Sequence, residues 1–225
     1  MIPRVTVLQL DTGFPRIAGD VGCADSYARP PQIIRIAGAS VGRIVTDRPQ
    51  DIDITPFEEA LSHAEGDIIT TSCGFLSYWQ THLAALTDRP FVSSALIALP
   101  TLAQRYRPDQ LRILTFDATT LGPAHLGDHP QYAASLIGLP PDHHLRQVIT
   151  QDLSPLNPTR ASAEIVDLIS DNHTAEHKHI LLECTNLPPY RAAITAATGL
   201  LVTDILSVIE AGCKGSIAAE FACAP

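Results

Sequence analysis

Short apolar runs separated by helix-like stretches recur along the chain. Val5-Thr6-Val7-Leu8-Gln9-Leu10 is short enough for a strand and apolar enough to be buried on both faces. It ends at Asp11-Thr12-Gly13, and a loop rich in Gly and Pro follows through Gly22. Residues 32–37 read as the next strand. Thr55-Pro56-Phe57-Glu58 signals a helix start, with threonine as cap, proline in the first turn and glutamate three residues after the cap. That helix runs to near Gly66. The run Asp67-Ile68-Ile69 then leads into Thr70-Thr71-Ser72-Cys73-Gly74-Phe75. A helix over 76–86, a strand over 91–94 and an apolar helix over 95–106, kinked at Pro100, complete the first half. Strands alternating with helices at this spacing predict βαβ units and a parallel sheet.

The pattern then starts again. Residues 111–116 repeat the opening strand, and Asp117-Ala118-Thr119-Thr120 repeats its Asp-Thr ending. A strand over 135–138 follows, then a long helix capped by Asn157-Pro158 that runs to about Ile169. His179-Ile180-Leu181-Leu182 leads to Glu183-Cys184-Thr185-Asn186, as the earlier run leads to Cys73. A helix over 188–198 closes at Gly199, and residues 200–203 form the last strand. A helix over 204–212 returns to pack on the first half. Asp11 with Asp117, and Cys73 with Cys184, recur at a common period of roughly 110 residues, which implies an internal duplication. The expected fold class is α/β with two similar domains: residues 1–95 plus 204–225, and residues 96–203.

Composition narrows the function classes. The chain of 225 residues is 45% hydrophobic and 17% charged, a soluble globular balance. Its formal charge of -9 argues against nucleic acid or an anionic membrane surface as partner. Cys23, Cys73, Cys184, Cys213 and Cys223 show no CxxC spacing, which fits reduced thiols rather than a disulfide framework or zinc site. No signal peptide is expected ahead of the first strand, and no apolar run reaches the ~18 residues of a membrane span. A cytoplasmic protein is the expectation. GxGxxG and Walker patterns are absent, so a nucleotide has no support.

Two thiols carry the candidate chemistry. Cys73 and Cys184 each follow a strand and precede a helix-like segment, where a helix N-terminus favours thiolate and lowers the pKa from roughly 8.5. A single cysteine so placed reads as a small core residue; two in matched contexts read as acid/base groups facing each other across a cleft. Open parallel sheets bind ligands beyond the carboxyl ends of their strands, where Asp11, Thr12, Cys73, Asp117, Thr119, Thr120 and Cys184 all fall. Arg16 is either a fork for a substrate carboxylate or a solvated loop residue. His125/His129 and His173/His177 have i,i+4 spacing without an HExxH pattern, and read as surface histidines rather than metal ligands. Cys23, Cys213 and Cys223 read as structural, and Tyr78 and Trp79 as packing for the helix after Cys73.

Asp11-Thr12, Thr71-Ser72-Cys73, Asp117 to Thr120 and Cys184-Thr185 together resemble the aspartate/glutamate racemase family, which includes hydantoin racemase and arylmalonate decarboxylase. The resemblance spans essentially the whole chain. It implies two α/β domains related by a pseudo-twofold axis, with the active site in the cleft between them, and catalysis without cofactor or metal. One thiolate removes the Cα proton and the other thiol protonates the opposite face, because inversion needs a base and an acid on opposite sides of one carbon. Ser72, Gly74, Thr119, Thr120 and Thr185 would hold the carboxylate of a small-molecule substrate, with Asp11, Thr12, Arg16, Phe75 and Asn186 completing its surroundings. A homodimer is the expected assembly.

The chain departs from the family at two points: Gly74-Phe75 stands where many members have Asn-Thr, and Asn186 where glutamate racemases have His and aspartate racemases Glu. Asn cannot titrate. The expected substrate is therefore not free aspartate or glutamate but a ligand with a less acidic or bulkier side chain, or a cyclic one. Both cysteines favour an amino-acid racemase or epimerase. The alternatives are a hydantoin racemase, another isomerase or lyase on the same fold, or a non-catalytic protein closing on a small anion.

Overall fold

The computed structural model describes residues 1–222; Cys223 lies outside them. Eight strands form two four-stranded sheets: β1 (Val5–Leu10), β2 (Gln32–Ile36), β3 (Ile68–Thr71) and β4 (Phe91–Val92) in one, β5 (Leu111–Thr115), β6 (Leu136–Gly138), β7 (His179–Leu182) and β8 (Leu201–Thr203) in the other. The strand orders are β2-β1-β3-β4 and β6-β5-β7-β8, the same permutation twice. Every strand pair is parallel. The central strands β1, β3 and β7 are buried at every position, as strands covered on both faces require. The duplication read from the sequence is thus a duplication of topology.

The helices are α1 (Val41–Ile44), α2 (Thr55–Leu61), α3 (Gln80–Ala84), α4 (Leu99–Ala103), α5 (His144–Gln151), α6 (Pro158–Asp171), α7 (Arg191–Thr198) and α8 (Ile205–Gly212). Asn157 caps α6 by accepting from the Arg160 N–H at 3.1 Å. Gly199 ends α7 at φ 69°, a left-handed position that suits glycine. Asp204 caps α8, which packs on β3 and β4. Several local expectations need correction. Thr55 is the first helical residue rather than the cap, and its N–H is met by Asp53 at 3.2 Å. Pro100 lies in the first turn of α4, where its missing N–H breaks no bond, so it causes no kink. The segment after Cys73 is a 3-10 turn, Gly74–Trp79, before α3 begins. The α5 helix was not anticipated from the pattern. No helix is long and apolar enough to cross a membrane among the described residues.

Candidate active site

Cys73 and Cys184 each stand two residues beyond the end of their strand, β3 and β7, and the fold brings both to one cleft of about 360 Å³. Its walls are mostly apolar, with Leu10, Phe14, Val41, Phe75, Phe116 and Ile149 among them. Ser72, Gly74, Thr185, Asn186 and Arg16 also line it. Both thiols are nearly closed off, at 8% and 6% exposure.

The two strand ends are tied to each other directly. The Thr185 hydroxyl donates to the Ser72 carbonyl at 2.7 Å, and Ser72 Oγ accepts the Leu10 N–H at 2.9 Å. These groups therefore hold β1, β3 and β7 in mutual register at the cleft. Thr71 bridges outward, donating to the Ser93 carbonyl at 2.7 Å.

Around Cys184 the polar groups form a chain. Its thiol donates to Asn186 Oδ1 at 3.6 Å, and Asn186 Nδ2 donates to Asp20 Oδ2 at 2.6 Å. Asp20 Oδ1 in turn accepts from Arg16 Nη1 at 2.9 Å and from the Gly22 N–H at 2.7 Å. Arg16 Nη2 reaches Thr12 Oγ1 at 3.2 Å, and its guanidinium lies over the Phe14 ring. Arg16 and Asp20 are a buried pair, at 8% and 5% side-chain exposure. Arg16 is thus a wall of the cleft rather than a solvated loop residue. Asp20 fixes which way the Asn186 amide points, leaving Oδ1 as acceptor for the thiol.

Four anticipated residues do not line the cleft: Thr12, whose hydroxyl instead accepts from Arg16, and three that sit elsewhere. Asp11 is exposed and faces Arg35 and the Gly38 N–H. Thr119 turns back on Asp117, which accepts its N–H and hydroxyl at 2.9 and 2.6 Å. Thr120 shares that turn and, like Thr119, does not line the cleft. A short hydroxyl two residues after an Asp finds the local carboxylate before it finds a ligand. Asp117 itself pairs with Arg146 at 2.6 Å.

The electrostatics reverse the expectation of acidic thiols. Burial pushes Cys73 up to about 12, with the nearby Glu183 carboxyl adding to the rise; the Phe75 N–H and Arg16 pull it back. Cys184 is also held well above the usual range, by burial first and Glu183 second. The 3-10 turn after Cys73 offers too weak a dipole to offset desolvation. Two groups escaped the sequence reading: Asp20, in the loop after β1, and Glu183, at the end of β7. Glu183 is fully buried, and its carboxyl accepts from the Thr115 hydroxyl at 2.6 Å. Burial raises it to about 7, against the Thr115 and Phe116 bonds that lower it. Among the described residues no group of three or more His, Cys, Asp or Glu could hold a metal ion.

This architecture is the fold also seen in an allantoin racemase and an aspartate racemase. Allantoin racemase of Pseudomonas fluorescens superposes with a TM-score of 0.55 at 14% identity, covering 99% of this chain and 97% of that one. Aspartate racemase of Picrophilus torridus gives 0.52 at 13% identity, covering 97% of each chain. At such identities the likeness establishes the fold alone.

The sequence relatives carry a different name. A dimethylsulfoniopropionate lyase of Durusdinium sp. clade D is 28% identical over 217 residues, which are 89% of this chain and 70% of the relative. Dimethylsulfoniopropionate lyases 3 and 7 of Emiliania huxleyi (strain CCMP1516) are 25% and 27% identical over 225 and 222 residues. The chain spans 57% and 64% of those two lengths. No family model matches the chain.

Proposed function

We propose that the chain is an enzyme that removes the proton from the carbon next to a substrate carboxylate with a cleft thiolate, and that the reaction is an elimination rather than a racemisation. The substrate class is a short carboxylate with an onium leaving group on the β carbon, as in dimethylsulfoniopropionate. In that reaction the Cα–H bond breaks and its proton goes to sulfur of the enzyme. The electron pair forms the Cα–Cβ double bond, the Cβ–S bond breaks, and dimethyl sulfide and acrylate leave. The thiol then returns its proton to solvent. No oxidant, reductant or cofactor is required for balance.

The observation that carries this reading is the unequal setting of the two thiols. Cys184 donates to an amide whose orientation Asp20 fixes, and Asp20 adds to its rise. Each thiol has one backbone N–H favouring its thiolate, from Phe75 at Cys73 and Asn186 at Cys184, but only Cys73 has the Arg16 charge besides. Elimination needs one base, whereas inversion needs two groups of matched competence. Cys73 is accordingly the base, and Cys184 remains a thiol that borders the reacting carbon. Arg16 and the N–H groups at the strand ends hold the carboxylate. The relatives named as lyases add support across nine-tenths of the chain.

A racemase remains the second reading, because both thiols line one cleft on a racemase fold. Proton NMR of the protein with dimethylsulfoniopropionate, and separately with aspartate, glutamate and allantoin in deuterated solvent, separates the two. Vinyl protons of acrylate are the expected product. Absence of acrylate with loss of the Cα proton from any of the other three would overturn elimination in favour of racemisation.

A further inference from the structure

The most unusual group in the cleft is Glu183. It has no solvent exposure, Oε2 is met by Thr115, and Oε1 makes no hydrogen bond. Arg16, in the cleft wall, is already paired with Asp20, and Arg146 is paired with Asp117. A carboxyl buried without a cation is costly, and a fold that keeps one has shaped itself around it. The shaping is visible at Gly74. A Cβ there would stand 2.0 Å from Glu183 Oε1 and 2.6 Å from the Glu183 carbonyl oxygen, so only glycine fits. The glycine that replaces the asparagine expected after the first cysteine is therefore the steric counterpart of the carboxyl at 183.

The carboxyl lies beside both thiols and raises each of them. Facing it are Thr115 at the end of β5 and Phe116 just after it, Cys73 and Gly74 from the turn after β3, and Cys184 beside it in sequence, with the Arg16–Asp20 pair beyond. Since Arg16 and Asp20 cancel, ionised Glu183 gives the cleft one uncompensated negative charge. That charge opposes a thiolate and attracts a cation across a low-dielectric gap. The apolar wall of Phe14, Phe75, Val41 and Ile149 suits the methyl groups of an onium centre but supplies no counter-charge of its own.

We propose that Glu183 is the specificity-determining residue that selects a cationic onium group beside the reacting carbon, and that the cation's arrival lifts the part of the opposition to thiolate formation that the Glu183 charge supplies. This rests on the elimination reading above, and supplies what that reading lacks: a reason for a base held so far from ionisation. A neutral ligand of the same shape would leave the negative charge in place.

The test is binding, so that it does not depend on turnover. Isothermal titration compares 3-(trimethylammonio)propionate with 4,4-dimethylpentanoate, the same shape with and without the charge. Wild type binds the cationic ligand about tenfold or more tightly, the order expected of unit charges several ångströms apart at an effective dielectric near 20. In Glu183→Gln the preference falls to within about twofold. Wild type alone provides a second reading, since its preference grows between about pH 6 and 8 as Glu183 ionises. An unchanged preference in Glu183→Gln, or a preference in wild type that is absent or independent of pH, overturns the proposal. A preference that behaves as stated, in a protein that releases no acrylate, supports cation selection while overturning the elimination.

Discussion

Asp152 offers the sharpest structural perturbation, because one side chain does two separable things. It ends α5 in the left-handed region, at φ 51° and ψ 47°. Its carboxylate accepts the Gly13 N–H at 2.7 and 2.9 Å and the Phe14 N–H at 2.7 Å, joining segments 139 and 138 residues apart. The segment it holds carries Phe14 and, two residues on, Arg16, both walls of the cleft. A hydrogen bond to a charged group contributes about 1.5–3 kcal/mol when buried, and the exposure of this carboxylate puts the two N–H donors together near 2 kcal/mol. The left-handed backbone costs a side chain with no local hydrogen bond about 1 kcal/mol. Asp152→Ala loses the clamp and bears the strain, about 3 kcal/mol in all. Asp152→Gly loses the clamp alone, about 2 kcal/mol. Asp152→Asn keeps one acceptor oxygen and tolerates the conformation, so it loses about 1 kcal/mol. For a chain of this size each kcal/mol lowers Tm by about 2–4 °C. Scanning calorimetry should therefore rank the variants Asn, Gly, Ala in order of falling Tm, and KM for the substrate should rise in Asp152→Gly with kcat less affected. Wild-type Tm and KM in Asp152→Gly would refute the assignment.

Other outcomes follow from the same site. Iodoacetamide should modify Cys73 and Cys184 slowly at pH 7.5, with a rate still climbing at pH 9, because both thiols are held above their ordinary pKa; mass spectrometry showing rapid modification at neutral pH would contradict this. Asn186→Ala leaves Asp20 Oδ2 without its partner and should cost about 1–3 kcal/mol by urea unfolding, together with a loss of kcat. Gly74→Ala should cost at least about 2 kcal/mol and most of the activity, and adding Glu183→Ala should restore only part, since the contact with the 183 carbonyl remains. Stability against pH should show two opposing slopes. His179, lowered to about 4 by burial, loses stability as pH falls from its ordinary value near 6.5. Glu183, raised to about 7, binds its proton more readily when folded and gains stability as pH falls from 7 towards its ordinary value. In the interval they share the slopes offset each other, so urea midpoints of Glu183→Gln should fall more steeply with acid than those of wild type.

The sheet architecture was legible because strands buried on both faces are nearly uninterrupted apolar runs, and β1 matches its expected bounds residue for residue. The duplication was legible in the recurring Asp-Thr and Cys landmarks, and the strand order shared by the two sheets came only with the structure. The helix α5 was not legible, although Leu145, Val148 and Ile149 have helical spacing and are buried, because Pro140-Pro141 and the polar Asp142-His143 before it read as loop. Cys73 and Cys184 were found through their matched contexts. Glu183 was passed over because a glutamate at the end of an apolar run normally marks the surface; Gly74 after Cys73 was the only trace of its burial. Asp20 left no trace, since a loop aspartate gains meaning only when Arg16 and Asn186 fold against it. Thr119 and Thr120 were expected at the site by symmetry with Asp11-Thr12, but local bonding to Asp117 takes them out of reach.

The central claim is that a cleft thiolate removes the proton next to the carboxylate, and that Cys73 supplies it. The direct measurement is the rate of dimethyl sulfide release from dimethylsulfoniopropionate, by headspace gas chromatography, for wild type, Cys73→Ser and Cys184→Ser, each shown by circular dichroism to be folded. A serine hydroxyl keeps the shape but is far too weak an acid to serve as the base, so Cys73→Ser should lose at least about a thousandfold. Cys184→Ser, which can still donate to Asn186, should lose much less. Release at near wild-type rate by folded Cys73→Ser would contradict the account.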